Sequence, residues 1–279
     1  MNPQLALLLV SALWGTTFVL VKSGLADASP FVFLALRFAI ASLISLLIWR
    51  KHRPEASAWA RGIPLGLVLA AAYASQTIGL TWTSPSRSAF VTGLNVALVP
   101  IWGAILLSQR PRVVPLIGLA ITLAGLTLLM SPKGGSWNIG DTWTIVCAIL
   151  FALHVALLSR WGDRFSTESL LTSQLVVTSL AAFMAIPLEE ARFTWTPQLG
   201  IALFVTGIFA TAGTTWLQLR YQPRGTATET ALLYATEPLF AAIFSYFMIG
   251  ERMTATAISG GILIIAGALL GQVGHRTAA

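Results

Sequence analysis

The chain is a succession of apolar runs, each about twenty residues long, separated by short polar connectors. They fall near residues 4–22, 30–49, 63–82, 88–107, 113–130, 141–159, 168–187, 198–219, 226–248 and 254–273. About 20 helical residues, at ~1.5 Å each, cross the ~30 Å hydrocarbon core of a bilayer. The pattern therefore predicts an all-α integral membrane protein with ten transmembrane helices. It also repeats: residues 1–131 lie over 138–271, followed by a short tail, 272–279. Ser11 to Phe38 aligns with Ala148 to Leu175 without a gap, so Trp14 falls on Phe151 and Arg37 on Gln174. Ser84-Pro85 falls on Gln222-Pro223, Pro100 on Pro238, and Gly118 and Gly125 on Gly260 and Gly267. One gap of four residues, between Pro100 and Ser108, predicts a fourth span about one turn shorter than the ninth. Five spans per copy, an odd number, turn the second copy upside down. Two inverted five-helix repeats meeting at a midplane site are the architecture of many carriers.

Composition agrees with the pattern. Hydrophobic residues make up 56% of the chain, charged residues 10%, and the mean hydropathy is +0.79. Such a chain leaves no room for a soluble domain, so any chemistry sits inside the membrane. The net charge of +7 suggests nucleic acid only until its distribution is seen. Eleven basic residues (Arg50, Lys51, Arg53, Arg61, Arg110, Arg112, Arg160, Arg164, Arg220, Arg224, Arg276) follow even-numbered spans, and five (Lys22, Arg87, Lys133, Arg192, Arg252) follow odd-numbered ones. By the positive-inside rule both termini are cytoplasmic, in a bacterial-type inner (plasma) membrane, and no nucleic-acid partner is expected. Ala26-Asp27-Ala28 resembles a signal-peptidase site, but the first span has a counterpart in the second repeat and is read as retained. The single Cys147 excludes an intrachain disulfide.

Ionisable and polar side chains within spans are candidates for function, because each is costly in hydrocarbon unless paired or solvated. Glu237 lies near the middle of span nine, beside Pro238, which leaves the Tyr234 carbonyl without its helical donor. Pro100 does the same to the Val96 carbonyl in span four, beside Asn95. These prolines either expose backbone to a substrate or are packing kinks satisfied by neighbouring helices. Arg37 in span two either holds a substrate carboxylate or snorkels or pairs structurally. Glu229, in the first turn of span nine, is read as a cap. Trp14 with Thr17, Phe151 with His154, and Tyr73 with Gln76 each pair an aromatic with a polar residue three positions on, hence on one helical face. With Trp102 and Tyr234 they predict an aromatic-walled cavity with a few polar anchors. Trp49, Trp82, Trp137, Trp143 and Trp195, near span ends, read as interfacial anchors. Gly267 and Gly271 permit close helix contact, within the monomer or across a dimer seam.

Leu13-Trp14-Gly15, Arg37, Glu237-Pro238 and Gly250-Glu251-Arg252, in this order across ten spans, resemble the EamA-type members of the drug/metabolite transporter superfamily. The resemblance implies a central cavity lined by spans one to four and six to nine, with spans five and ten at the periphery. It also implies export of small metabolites, with the aromatic amino acid exporters as one branch. Ser108-Gln109-Arg110 departs from the family's Gly-Glu-Arg, so no role of that acidic residue carries over. The expected partners are a small-molecule substrate, membrane lipid and, in one coupling scheme, protons. An enzyme is disfavoured: Gly134-Gly135-Ser136-Trp137-Asn138 lacks the last glycine of a hydrolase elbow, and there is no His-Glu-x-x-His and no P-loop. No cofactor is expected, and His154 has no second ligand at metal spacing.

Overall fold

The computed structural model describes residues 1–108, 112–129, 137–250 and 254–276. Gln109, Arg110, Lys133, Ser136, Glu251 and Arg252 lie outside the described residues. Among those described, nine helical spans have the length and hydropathy to cross a membrane. They are Pro3–Gly24, Pro30–Ile48, Ala56–Trp82, Pro85–Leu107, Ile139–Trp161, Thr167–Leu188, Pro197–Arg224, Ala227–Met248 and Ala255–Gln272, and the shorter Val113–Leu129 completes the set as span five. Prolines at the first helical positions start spans one, two, four and eight, where a missing N–H costs nothing. Span three begins earlier than its apolar run, because Ala56 to Arg61 are helix formers that extend it into the interface. The helix of span ten continues to Arg276.

Large apolar side chains such as Leu47, Ile105, Phe247 and Leu269 lie exposed on the outside of the bundle. Lipid solvates them as water would not, so they need no protein cover. Buried polar residues sit inside, among them Arg37, Asp141, His154, Gln174, Gln222 and Glu237. Trp82, Trp137, Trp143 and Trp195 are exposed at span ends, whereas Trp49 is half-buried against the core.

The packing carries the repeat symmetry. Span three packs on span six as span one does on span eight, and span three on span seven as span two on span eight. Span one meets span nine as span four meets span six. Spans five and ten pack chiefly on each other, with Gly118 against Gly267 and Gly125 against Gly260. Since Gly118 is the repeat partner of Gly260, and Gly125 of Gly267, exchanging the halves maps one contact onto the other. Only an antiparallel, inverted pair does this. A Cβ at Gly267 would lie 2.3 Å from the Thr122 hydroxyl oxygen, so the close approach requires glycine. The contact of Gly267 and Gly271 is thus made within the chain.

The connectors repeat the same cross-over. Ser29, the N-cap of span two, makes no capping bond of its own. Glu189, from the connector after span seven, accepts from the Ser29 hydroxyl (2.6 Å) and the Phe31 amide (3.0 Å) instead. At the other face, Glu55, ahead of span three, accepts from the amide of Ser166 (2.9 Å), the repeat partner of Ser29. Each half therefore holds a helix N-terminus of the other.

Candidate functional site

Two spans are interrupted near the middle, a third changes helix type there, and a fourth holds an internal proline. Span nine breaks at Ala235 and Thr236, between helical segments Ala227–Tyr234 and Glu237–Ile249, because the Pro238 ring cannot coexist with a helical carbonyl at Tyr234. Span four breaks at Leu94, between Pro85–Gly93 and Asn95–Leu107. Span eight carries a nine-residue π-helical stretch, Val205–Gly213, a rare geometry associated with functional sites. Span three holds Pro64 inside its helix.

The gap of four residues does not shorten span four as a whole. Beyond its proline it ends a turn sooner than span nine does, but it starts a turn earlier. Pro85 opens the helix directly, whereas its repeat partner Pro223 sits in a 3₁₀ turn ahead of Thr226. Span four is thus shifted along its axis.

Around these breaks lies a cavity of about 30 Å³ lined by Trp14, Thr17, Leu69, Tyr73, Gln76, Thr92, Asn95, Phe151, His154, Val155, Thr215, Gln218, Tyr234 and Glu237. Its aromatic walls are two ring contacts, Trp14 with Tyr234 (5.0 Å between centroids, tilted) and Tyr73 with Phe151 (5.1 Å, perpendicular). Trp14 and Phe151 are repeat partners, so each half contributes one. Trp14 donates its indole N–H to the Thr214 hydroxyl (3.1 Å), and Gln76 donates to Thr92 (3.4 Å). Gly15 permits span one to reach this depth, since a Cβ there would lie 2.8 Å from the Ala241 nitrogen. Glu237 begins the second segment of span nine, where its carboxylate faces the positive end of the helix dipole. It is 7% exposed and, among the described residues, has no hydrogen-bond partner. Among the described residues it is the cavity's only acidic lining residue.

The packing settles where three of these groups lie: Arg37 and the Tyr234 carbonyl take the structural alternative, and Trp102 departs from the expected cavity wall. Arg37 does not line the cavity. It is buried behind Tyr73, its guanidinium 4.6 Å from that ring's centroid, with Nε donating to Thr211 (2.8 Å) in the π-helical stretch. Its repeat partner Gln174 does reach a lining residue, pairing with His154 (3.0 Å). Trp102 also lies outside the lining, packed on the apolar cluster that includes Leu7, Val99 and Leu126, because it falls two turns beyond Asn95. Finally, the Tyr234 carbonyl is not left free, since the hydroxyl of Ser11 in span one donates to it (3.2 Å). Glu229 forms a capping box with Thr226, as its position predicts.

The lining residues that the sequence did not single out are Leu69, Thr92, Val155, Thr215 and Gln218. The last two stand three apart on span eight, the same spacing that marked Trp14 with Thr17. Near the start of span four, outside the lining, Arg87 is bidentate to the fully buried Asp141 (2.7 Å each), and Lys22 donates to the carbonyls of Leu80 and Thr83. Gln222 donates to the Val155 carbonyl (2.7 Å) and Ser159 (2.8 Å) and accepts from Tyr234 (3.4 Å).

Residues 2–131 and 138–271 both match the EamA-like transporter family. The chain belongs to this family. The EamA-like protein is 29% identical to an uncharacterized transporter of Archaeoglobus fulgidus over 94% of its own length and 83% of that protein's. It is 27% identical to the uncharacterized transporter YwfM of Bacillus subtilis over 96% and 92%. A WAT1-related chloroplastic protein of Arabidopsis thaliana is 24% identical over 90% of this chain and 65% of its own. One solved crystal structure superposes with a TM-score of 0.79 over 99% of both chains at 21% identity, the same fold. This EamA-like protein is a multi-pass membrane transporter of small substrates.

Proposed function

We propose that this transporter is a carrier that exports small metabolites with an ammonium group on an apolar or aromatic body, amino acids foremost, by alternating access around the central cavity. The observation that carries the reading is Glu237, a buried carboxylate with no protein hydrogen-bond partner among the described residues, facing a cavity whose walls include Trp14, Tyr73, Phe151 and Tyr234. A carboxylate beside aromatic faces suits an ammonium group, because both attract a cation. Glu237 either holds that ammonium or exchanges a proton for the substrate. The cavity, about 30 Å³, has room for a water or two at ~10–15 Å³ each, and an amino acid enters only after the halves part. Arg87–Asp141 and the Gln222 cluster are the contacts whose opening in turn exposes it to each face. A substrate carboxylate would meet the neutral donors Gln76, Asn95 and His154, with Arg37 joining only if Tyr73 swings aside.

The exclusion of Arg37 from the lining favours a second reading, in which the substrate is an apolar amine without a carboxylate. Counterflow into proteoliposomes separates the two. Vesicles preloaded with phenylalanine or tryptophan should accumulate the labelled amino acid, tryptamine should compete weakly, and small polar amino acids should compete poorly. Exchange of tryptamine without amino acid exchange selects the second reading. Exchange of sugars or nucleotides alone removes both.

A further inference from the structure

We propose that a basic cleft at the ends of spans three, four and six binds the phosphate headgroup of an anionic phospholipid. Span four stops a turn early beyond Pro100, and a cleft of about 300 Å³ lies beside Leu106 near its end. The cleft is lined by Arg61, Arg160 and Arg164, with Trp161, Phe165 and two leucines as its apolar floor. Arg61 stacks on Trp161, its guanidinium 5.5 Å from the ring centroid, which limits the rotamers that a ligand would otherwise have to freeze. Arg160 donates to the carbonyl of Leu106, one of the acceptors exposed where span four ends.

None of the three arginines has a carboxylate within 4.0 Å among the described residues. The nearby acids do not answer them. Glu55 is held by Ser57 and the Ser166 amide, and Asp163 does not line the cleft. Three cations around an apolar floor, at the boundary of the bilayer, match a phosphodiester attached to acyl chains better than a free anion, which has no use for the floor. The cleft opens on the face that carries the excess of basic connectors. The assignment to the cytoplasmic leaflet rests on that orientation, and the binding itself does not.

Native mass spectrometry of the purified full-length protein tests this, with phosphatidylglycerol, phosphatidylcholine and inorganic phosphate as probes. The wild type should retain phosphatidylglycerol in preference to phosphatidylcholine. An arginine in contact with the anionic headgroup is worth about fivefold, so R61Q/R160Q/R164Q should lose about a hundredfold of that preference. R50Q/R53Q/R220Q removes the same charge from exposed positions on the same face and should keep the preference. R164Q alone, on a connector, should lose about fivefold and covers the case in which the triple variant fails to fold. Retention by both cleft variants, equal loss in the control variant, or displacement of the lipid by millimolar inorganic phosphate would each overturn the proposal.

Discussion

Glu237 and Arg37 are both buried, yet the surroundings assign them opposite parts. Glu237 has no hydrogen-bond partner among the described residues, and its side chain lines the cavity. Arg37 is surrounded by Tyr73, Phe38 and Thr211 and is walled off from the cavity by the Tyr73 ring. A charge-assisted contact contributes about 1.5–3 kcal/mol, so Glu237→Gln should cut substrate affinity roughly ten- to hundredfold while leaving the fold intact. Arg37→Met should change affinity by less than about tenfold and cost little stability, because replacing a buried charge with an apolar side chain of similar volume is often neutral. Equilibrium binding and thermal unfolding of the two variants distinguish these outcomes. A transporter that survives Glu237→Gln with unchanged binding would leave that carboxylate without the role proposed.

At the scale of elements, the helices are held by contacts that repeat with the halves exchanged. Gly267 lies so close to Thr122 that any side chain must push spans five and ten apart. Gly267→Leu should lower stability by about 1–3 kcal/mol, the usual range for overpacking, as read from thermal unfolding in detergent. Glu55 offers a pH-dependent test. Hydrogen bonds from the Ser57 hydroxyl and the Ser166 amide hold its carboxyl below its ordinary value. A carboxylate whose pKa is lowered in the folded state stabilises above its unfolded value, about 4.3, and loses that contribution as the pH falls through the lower folded value. Wild type should therefore unfold at a higher temperature than Glu55→Gln at pH 7, and the difference should start to shrink as the pH falls below about 4.3 and be gone once the pH is below the lower folded value. A difference that persists unchanged into strong acid would show that the glutamate contributes by packing alone.

The whole molecule has one strong constraint on orientation, the bias of basic residues between its two faces. Eleven against five predicts that the connectors after even-numbered spans face the cytoplasm. Single cysteines at Arg53 and Glu190, both exposed in connectors on opposite faces, should react differently with an impermeant reagent on intact cells. Glu190 should label and Arg53 should not until the membrane is opened. Equal labelling at both positions contradicts the orientation. The native Cys147 is buried and interferes with neither. The same two faces carry the cross-half contacts of Glu189 and Glu55, so any motion that opens the cavity must turn about these contacts or break one of them.

What the sequence determined by itself is what depends on one residue at a time or on spacing along one helix. Apolar length set the spans, repeat register set the inversion, and aromatic-plus-polar spacing picked out Trp14, Thr17, Tyr73, Gln76, Phe151 and His154 as facing one space. A helix face is legible from spacing because the 3.6-residue period is local. Where that face meets its neighbours is not. The tertiary structure alone put Tyr73 between Arg37 and the cavity, satisfied the Tyr234 carbonyl with Ser11 from a span more than two hundred residues away, and turned Trp102 onto the core. It also decided that the four-residue gap shifts span four along its axis, since a proline that opens a helix in one half sits inside a 3₁₀ turn in the other. The π-helical stretch of span eight left no mark in the apolar pattern, because one changed hydrogen-bond register alters which neighbour a residue meets without altering its polarity.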